Sequence, residues 1–221
     1  MFYTTQCSHS LPITSSVNVA GTLVHVSNQV RILGITLDSR LSFDAHISAL
    51  SKYCFHHIRA LCHIRPNVTL DCSKNIACSL VGCRLDYANW TLVGISVKNI
   101  SRLQRLQSTL AHVVTCQREC ISISKTLQDF HWLPMKWRID CKVATLMYKL
   151  LESGEPTYLR SRITSKIFQR ALSSSADDRQ LELCSSHTKI GSRAFRCAAP
   201  AIWNCLPYDI RAVPSVSIFR S

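Results

Sequence analysis

The sequence predicts a mainly α-helical protein with a small N-terminal antiparallel β hairpin, a helical bundle behind it and an irregular C-terminal extension. Three observations carry that reading. Short Val/Ile/Leu/Thr runs parted by turn residues fill the first forty positions, and an apolar repeat of three to four follows. The 47% hydrophobic content with only six glycines and seven prolines is that of a globular chain rather than a low-complexity one.

Val17 to Ala20, Thr22 to Val26 and Val30 to Leu37 read as strands, with Gly21 breaking the first pair and Ser27-Asn28-Gln29 the second. Two or three such strands are too few for a sheet domain, so they should present an edge to a further element on their N-terminal side. After Asp38-Ser39-Arg40 the period becomes helical. Phe43, Ile47, Leu50, Cys54, Ile58 and Leu61 mark one face of a long helix, with Ser42 as N-cap and Pro66-Asn67 as its end. Thr69 caps a second helix running through Ile76, Leu80 and Cys83 toward Tyr87. Ser96 caps a third, with Ile100, Leu103, Leu106, Leu110, Val113 and Val114 inward. A short helix over Ile123 to Phe130 precedes the Trp132-Leu133-Pro134 break, and another runs from Met135 to Glu152 with Ile139, Val143, Leu146 and Leu150 buried. The chain near 173–180 is polar and reads as a loop. A compact tail follows around Phe195, Ala199, Ile202, Trp203 and Leu206. The expected divisions are 1–40, 41–120 and 121–221.

Charge narrows the partners. There are 26 Lys and Arg against 13 Asp and Glu, a formal excess of +13 that favours polyanions, nucleic acid first and anionic membrane second. No run approaches the ~18 apolar residues of a spanning helix. The start, Met1-Phe2-Tyr3-Thr4, lacks the basic and apolar regions of a secretion signal. An intracellular protein, cytoplasmic or nuclear and without a membrane partner, is therefore expected. In that reducing compartment the 12 cysteines read as small buried hydrophobes rather than disulfides. Cys78 with Cys83, Cys116 with Cys120, and His56, His57 and His63 around Cys62 are the nearest approaches to metal-ligand spacing. No second pair follows at finger distance, and no metal site is expected.

Basic rows are the best binding candidates. Lys98, Arg102 and Arg105 recur at helical spacing beside the apolar face of the third helix, and Lys136, Arg138 and Lys142 give a second row. Such rows meet successive phosphates and position a nucleic acid without reading its bases. The plainer reading of either row is a solvated helix face. Ser175-Ala176-Asp177-Asp178 imitates a polymerase carboxylate pair, but serines precede it, Arg179 follows and no strand run flanks it, so a solvated loop is expected. Asp86 sits among apolar residues and should be satisfied by Arg84 or Tyr87. His131, beside Trp132 and Pro134, reads as a packing and capping residue. No catalytic residue is expected.

A series of short motifs points to a family. Leu33-Gly34-Ile35, Leu41-Ser42-Phe43, Arg84-Leu85-Asp86-Tyr87, Leu103-Gln104-Arg105-Leu106-Gln107 and His131-Trp132-Leu133-Pro134 stand in order, and Tyr148-Lys149, Gly191-Ser192-Arg193-Ala194-Phe195, Trp203-Asn204 and Leu206-Pro207 continue them. The series resembles the reverse transcriptases of LINE-type, jockey-like non-LTR retrotransposons, over roughly Val17 to Phe219. The resemblance implies that Leu33 and Gly34 belong to a primer-grip-like hairpin and that the helices from Phe43 to about Cys116 form a thumb. From His131 onward lies the family's C-terminal extension. The metal-binding aspartates of that family's palm lie N-terminal to the segment resembled here, so the chain itself is expected to be no enzyme and to need no cofactor; Mg²⁺ belongs to the parent polymerase. The palm would pack on the hairpin. Two departures stand out: Ala88-Asn89 where the family has Cys-Asn, and His112 where it has Arg.

The function expected is that of a truncated retrotransposon RNA-directed DNA polymerase, without its palm, retaining non-specific binding to RNA–DNA or duplex nucleic acid. The rival readings are a translated relic without function and a domesticated helical protein-interaction module.

Overall fold

A computed structural model describes residues 16–116, 122–166 and 179–220. Its architecture is mainly helical behind small antiparallel hairpins, as the apolar periods predict. There are two hairpins. β1 (Ser16–Val19) pairs with β2 (Thr22–His25), and β3 (Gln29–Ile32) pairs with β4 (Ile35–Asp38). The run Val30 to Leu37 is therefore not one strand: Leu33-Gly34 turns it back on itself. Both turns have two central residues at positive φ, Ala20 with Gly21 and Leu33 with Gly34. That is the twist-matched turn of two-residue hairpins, where glycine removes the Cβ clash at the second position. β4 packs toward the bundle through Ile35 and Leu37, whereas the first hairpin leaves Val17, Val19, Leu23 and Val24 at least half exposed.

Asp38 joins strand to helix. Its carboxylate accepts hydrogen bonds from the backbone N–H of Arg40, Ser42 and Phe43 and from the Ser42 hydroxyl. Partial burial pushes the Asp38 carboxyl up, but these donors together outweigh it and hold it below the ordinary carboxylate value. The cap of α1 (Asp44–Ile64) is thus Phe43, in left-handed backbone, with Asp38 as the side-chain anchor; Ser42 is one residue too early. Thr69 and Ser96 do cap as expected, their hydroxyls accepting from Cys72 N and Asn99 N. The second helix is a composite: α2 (Leu70–Ala77), a π-helical turn over Cys78–Gly82 and α3 (Cys83–Asp86). Then come α4 (Val97–Thr115), α5 (Ile123–Asp129) and α6 (Met135–Ser153), followed by α7 (Thr157–Arg160), α8 (Phe195–Asn204), α9 (Tyr208–Arg211) and α10 (Val216–Arg220).

Two apolar clusters meet along α6. Ile47, Ile58 and Leu61 of α1, Ala77 to Leu85, Leu103 and Leu106 of α4, and Met135 and Ile139 of α6 form the first. Val143, Met147 and Tyr148, one turn further along α6, join Ile163, Leu181, Ala199 and Trp203 in the second. One helix with a wide apolar stripe thus holds the C-terminal elements against the bundle.

Candidate nucleic-acid interface

α1 and α4 lie side by side and point the same way. At their starts the buried Asn99 donates from Nδ2 to Ser42 O (3.2 Å) and to Asp44 Oδ1 (2.8 Å). At their ends Arg65 donates from Nε to Val114 O (2.7 Å), placing a cation on the carbonyls that close α4. Between these ties Arg102 donates to the Ser48 hydroxyl at 3.0 Å. At about 100° per residue, Lys98, Arg102 and Arg105 fall within a ~60° arc of α4, and Lys52, Phe55 and Arg59 within a similar arc of α1. The helices bound a cleft of about 570 Å³ lined by Lys52, Arg59 and Arg102, with Ser48, Ser51, Phe55 and His56 between them. No carboxylate lines it among the described residues.

The first basic row is therefore real as geometry, with Lys98 and Arg105 exposed and Arg102 half-buried at the cleft wall. Its counterpart on α1, Lys52 and Arg59, was missed by sequence reading, although their seven-residue separation is the same signal.

The second row does not assemble. Arg138 and Lys142 sit about 200° and 240° around α6 from Lys136, on a different side of the helix. Lys136 lies 5.4 Å from the ring centroid of Trp137. It also faces Asp140, whose carboxyl is pushed up by burial against the opposing pull of the lysine. Arg138 is committed to Asp86 at 3.3 Å, and Lys142 is half-buried.

That ion pair corrects the expectation for Asp86, which Arg138 and Asn89 satisfy rather than Arg84 or Tyr87. Arg84 instead stacks over Tyr53 at 4.7 Å, and Tyr87 donates to Leu33 O at 2.9 Å. The latter bond anchors the Leu33-Gly34 turn to the end of α3. Gly34 is needed there twice over, for φ +81 and because an added Cβ would meet Tyr87 at 3.6 Å.

His131 does cap α5, but through its backbone: with φ 54 its N–H reaches Gln128 O at 2.9 Å while the side chain is exposed. Packing falls to Trp132, which meets Phe130 edge-on at 5.2 Å. Cys54 is buried, and burial pushes its thiol up to about 11, the behaviour of an inert core cysteine. Cys62, Cys78, Cys83 and Cys116 are exposed, a correction to the reading of the cysteines as buried throughout. Among the described residues no three His, Cys, Asp or Glu side chains stand close enough to share a metal ion. Ser175-Ala176-Asp177-Asp178 and Cys120 lie outside the described residues.

Part of the chain is similar to a transposon polymerase. It is 29% identical, over 108 residues, to the probable RNA-directed DNA polymerase from transposon BS of Drosophila melanogaster. The match takes in 47% of this chain and only 12% of the fly protein's length. No protein-family profile matches the chain. No solved structure matches it either.

Proposed function

We propose that this chain is a thumb-side and C-terminal portion of a LINE-type, jockey-like retrotransposon polymerase, and that alone it grips RNA–DNA or duplex nucleic acid without polymerising. In this reading residues 1–40 are the primer-grip side, with Leu33 and Gly34 at its turn. Residues 41–120 are the thumb, and 121–221 the extension. The similarity to the transposon polymerase supports the parentage. The observation that carries the binding is the α1–α4 face, where two parallel helices put Lys52, Arg59, Lys98, Arg102 and Arg105 around one cleft free of carboxylates among the described residues. Cations so arranged neutralise neighbouring phosphates of one backbone and read no base edges. Lys136, Arg138 and Lys142 form no second row, so their share in binding is small; Arg138 in particular is held by Asp86.

A fluorescein-labelled RNA–DNA hybrid, followed by anisotropy, tests this. The triple variant Lys52→Ala, Arg102→Ala, Arg105→Ala should bind about 30- to 100-fold more weakly, at roughly 1 kcal/mol per lost contact, with unchanged circular dichroism. Neither protein should extend the primer when Mg²⁺ and deoxynucleotides are supplied. Equal binding by the triple variant, or primer extension, would overturn the proposal.

One observation favours a second reading. The first hairpin exposes Val17, Val19, Leu23 and Val24, a surface suited to a protein partner. A protein complex that survives high salt would favour that interaction module over nucleic-acid binding.

A further inference from the structure

We infer that the α1–α4 cleft holds one unpaired nucleotide, with its phosphate among Lys52, Arg59 and Arg102 and its base stacked on Phe55, so that the face prefers single strands to duplex. This rests on the nucleic-acid reading of the same face and adds to it what the cleft itself recognises.

Phe55 is the first reason. It is 40% exposed, although it stands three residues after Lys52 and four before Arg59 in a charged cleft. A solvated helix face has no use for a phenyl ring at that place. Cations that track a backbone with an aromatic ring between them are the arrangement by which proteins bind single strands, each base laying its π-face on the ring. Neighbouring aromatics have already spent their faces: Arg84 covers Tyr53, which also packs on His57 at 4.4 Å. Among the described residues no ring or cation covers Phe55.

Ser51 is the second, independent reason. Its hydroxyl oxygen lines the cleft, is shut off from bulk solvent and has no hydrogen-bond partner among the described residues. A buried hydroxyl without a partner carries a desolvation cost that a bound acceptor would relieve. The adjacent Ser48 hydroxyl already accepts from Arg102, so it fixes the guanidinium while using one of that side chain's five N–H donors. A phosphate oxygen beside Arg102 completes both groups, accepting from the Ser51 hydroxyl and from the arginine.

Size and chemistry agree. A cleft of about 570 Å³ falls in the ~300–1,000 Å³ range of small-ligand sites, room for a nucleotide rather than a helix. A base inside a duplex has both faces occupied by its neighbours and offers none to Phe55. A single strand offers one at every step.

The test compares three labelled probes by anisotropy at one salt concentration: oligothymidylate of about ten nucleotides, an abasic strand of equal phosphate count and a blunt duplex of equal length. The wild type should bind oligothymidylate most tightly. Phe55→Ala should lose about tenfold on that probe and less than twofold on the abasic strand and the duplex. Phe55→Tyr, which keeps the ring, should bind as the wild type does. A Phe55→Ala loss shared equally by all three probes, or no loss on any, overturns the nucleotide site while leaving the basic face intact. Absence of binding to every probe by the folded wild type overturns the inference together with the reading beneath it.

Discussion

Replacing Trp203 by alanine is expected to cost about 3–5 kcal/mol of folding stability, the range for removing a fully buried indole. Trp203 is 1% exposed and sits at the centre of the second cluster. Its ring stacks on Phe219 at 6.0 Å and 19°, and Tyr148 approaches at 6.4 Å. Its Nε1 donates to Arg179 O at 2.8 Å, so truncation opens a cavity and also leaves a carbonyl without its donor. Against a total of about 5–15 kcal/mol, that loss removes much of what orders the C-terminal elements. Urea denaturation measures it. Trp203→Phe keeps most of the volume and should cost less than half as much. A loss under about 1 kcal/mol for the alanine variant, well below the usual range, would mean that the tail does not pack as described.

Arg193→Ala should be the next most damaging change, at about 2–4 kcal/mol, from two charge-assisted hydrogen bonds and lost packing. From just before α8 its guanidinium reaches back into the bundle, donating from Nε to Val93 O (2.9 Å) and from Nη1 to Leu41 O (2.7 Å). It also lies 5.4 Å from the centroid of the Phe43 ring. Lysine should rescue little, because one ammonium on a flexible stem cannot hold two carbonyls in the planar fork's geometry. Gly94 belongs to the same joint. Its φ is +67, and a Cβ there would stand 2.6 Å from Arg193 Cγ. Gly94→Ala should therefore destabilise too, and less so in the Arg193→Ala background, where only the backbone strain remains. The four proteins of that double-mutant cycle, unfolded in urea, give the coupling directly. An Arg193→Lys protein as stable as the wild type would show that the fork is not used.

Local features were legible in the sequence. The apolar repeats place α1, α4 and α6 to within a residue or two, because burial of one stripe is written at a period of 3.6. Thr69 and Ser96 could be read as caps because a hydroxyl three positions before a free N–H is a local relation. Asp38 escaped notice because it caps from five residues before Phe43, across a turn. The π-helical turn at Cys78–Gly82 leaves the apolar period nearly intact and so leaves no mark in it. The Lys98, Arg102 and Arg105 row is local and was visible. That α1 runs parallel to α4 and adds Lys52 and Arg59 is a tertiary fact, as is the capture of Arg138 by Asp86, 52 residues earlier. Arg193 stood in a quoted motif, yet its partners lie 100 and 152 residues away, and no spacing rule reaches that far.

The central claim, that the α1–α4 face binds nucleic acid through its phosphates, is tested most directly by titrating the RNA–DNA hybrid over a range of salt. With five cations engaged, log association constant against log salt should fall on a line of slope about −4 to −5, and the Lys52→Ala, Arg102→Ala, Arg105→Ala protein should give about −2. A slope near zero for the wild type, or the same steep slope for both proteins, would contradict it.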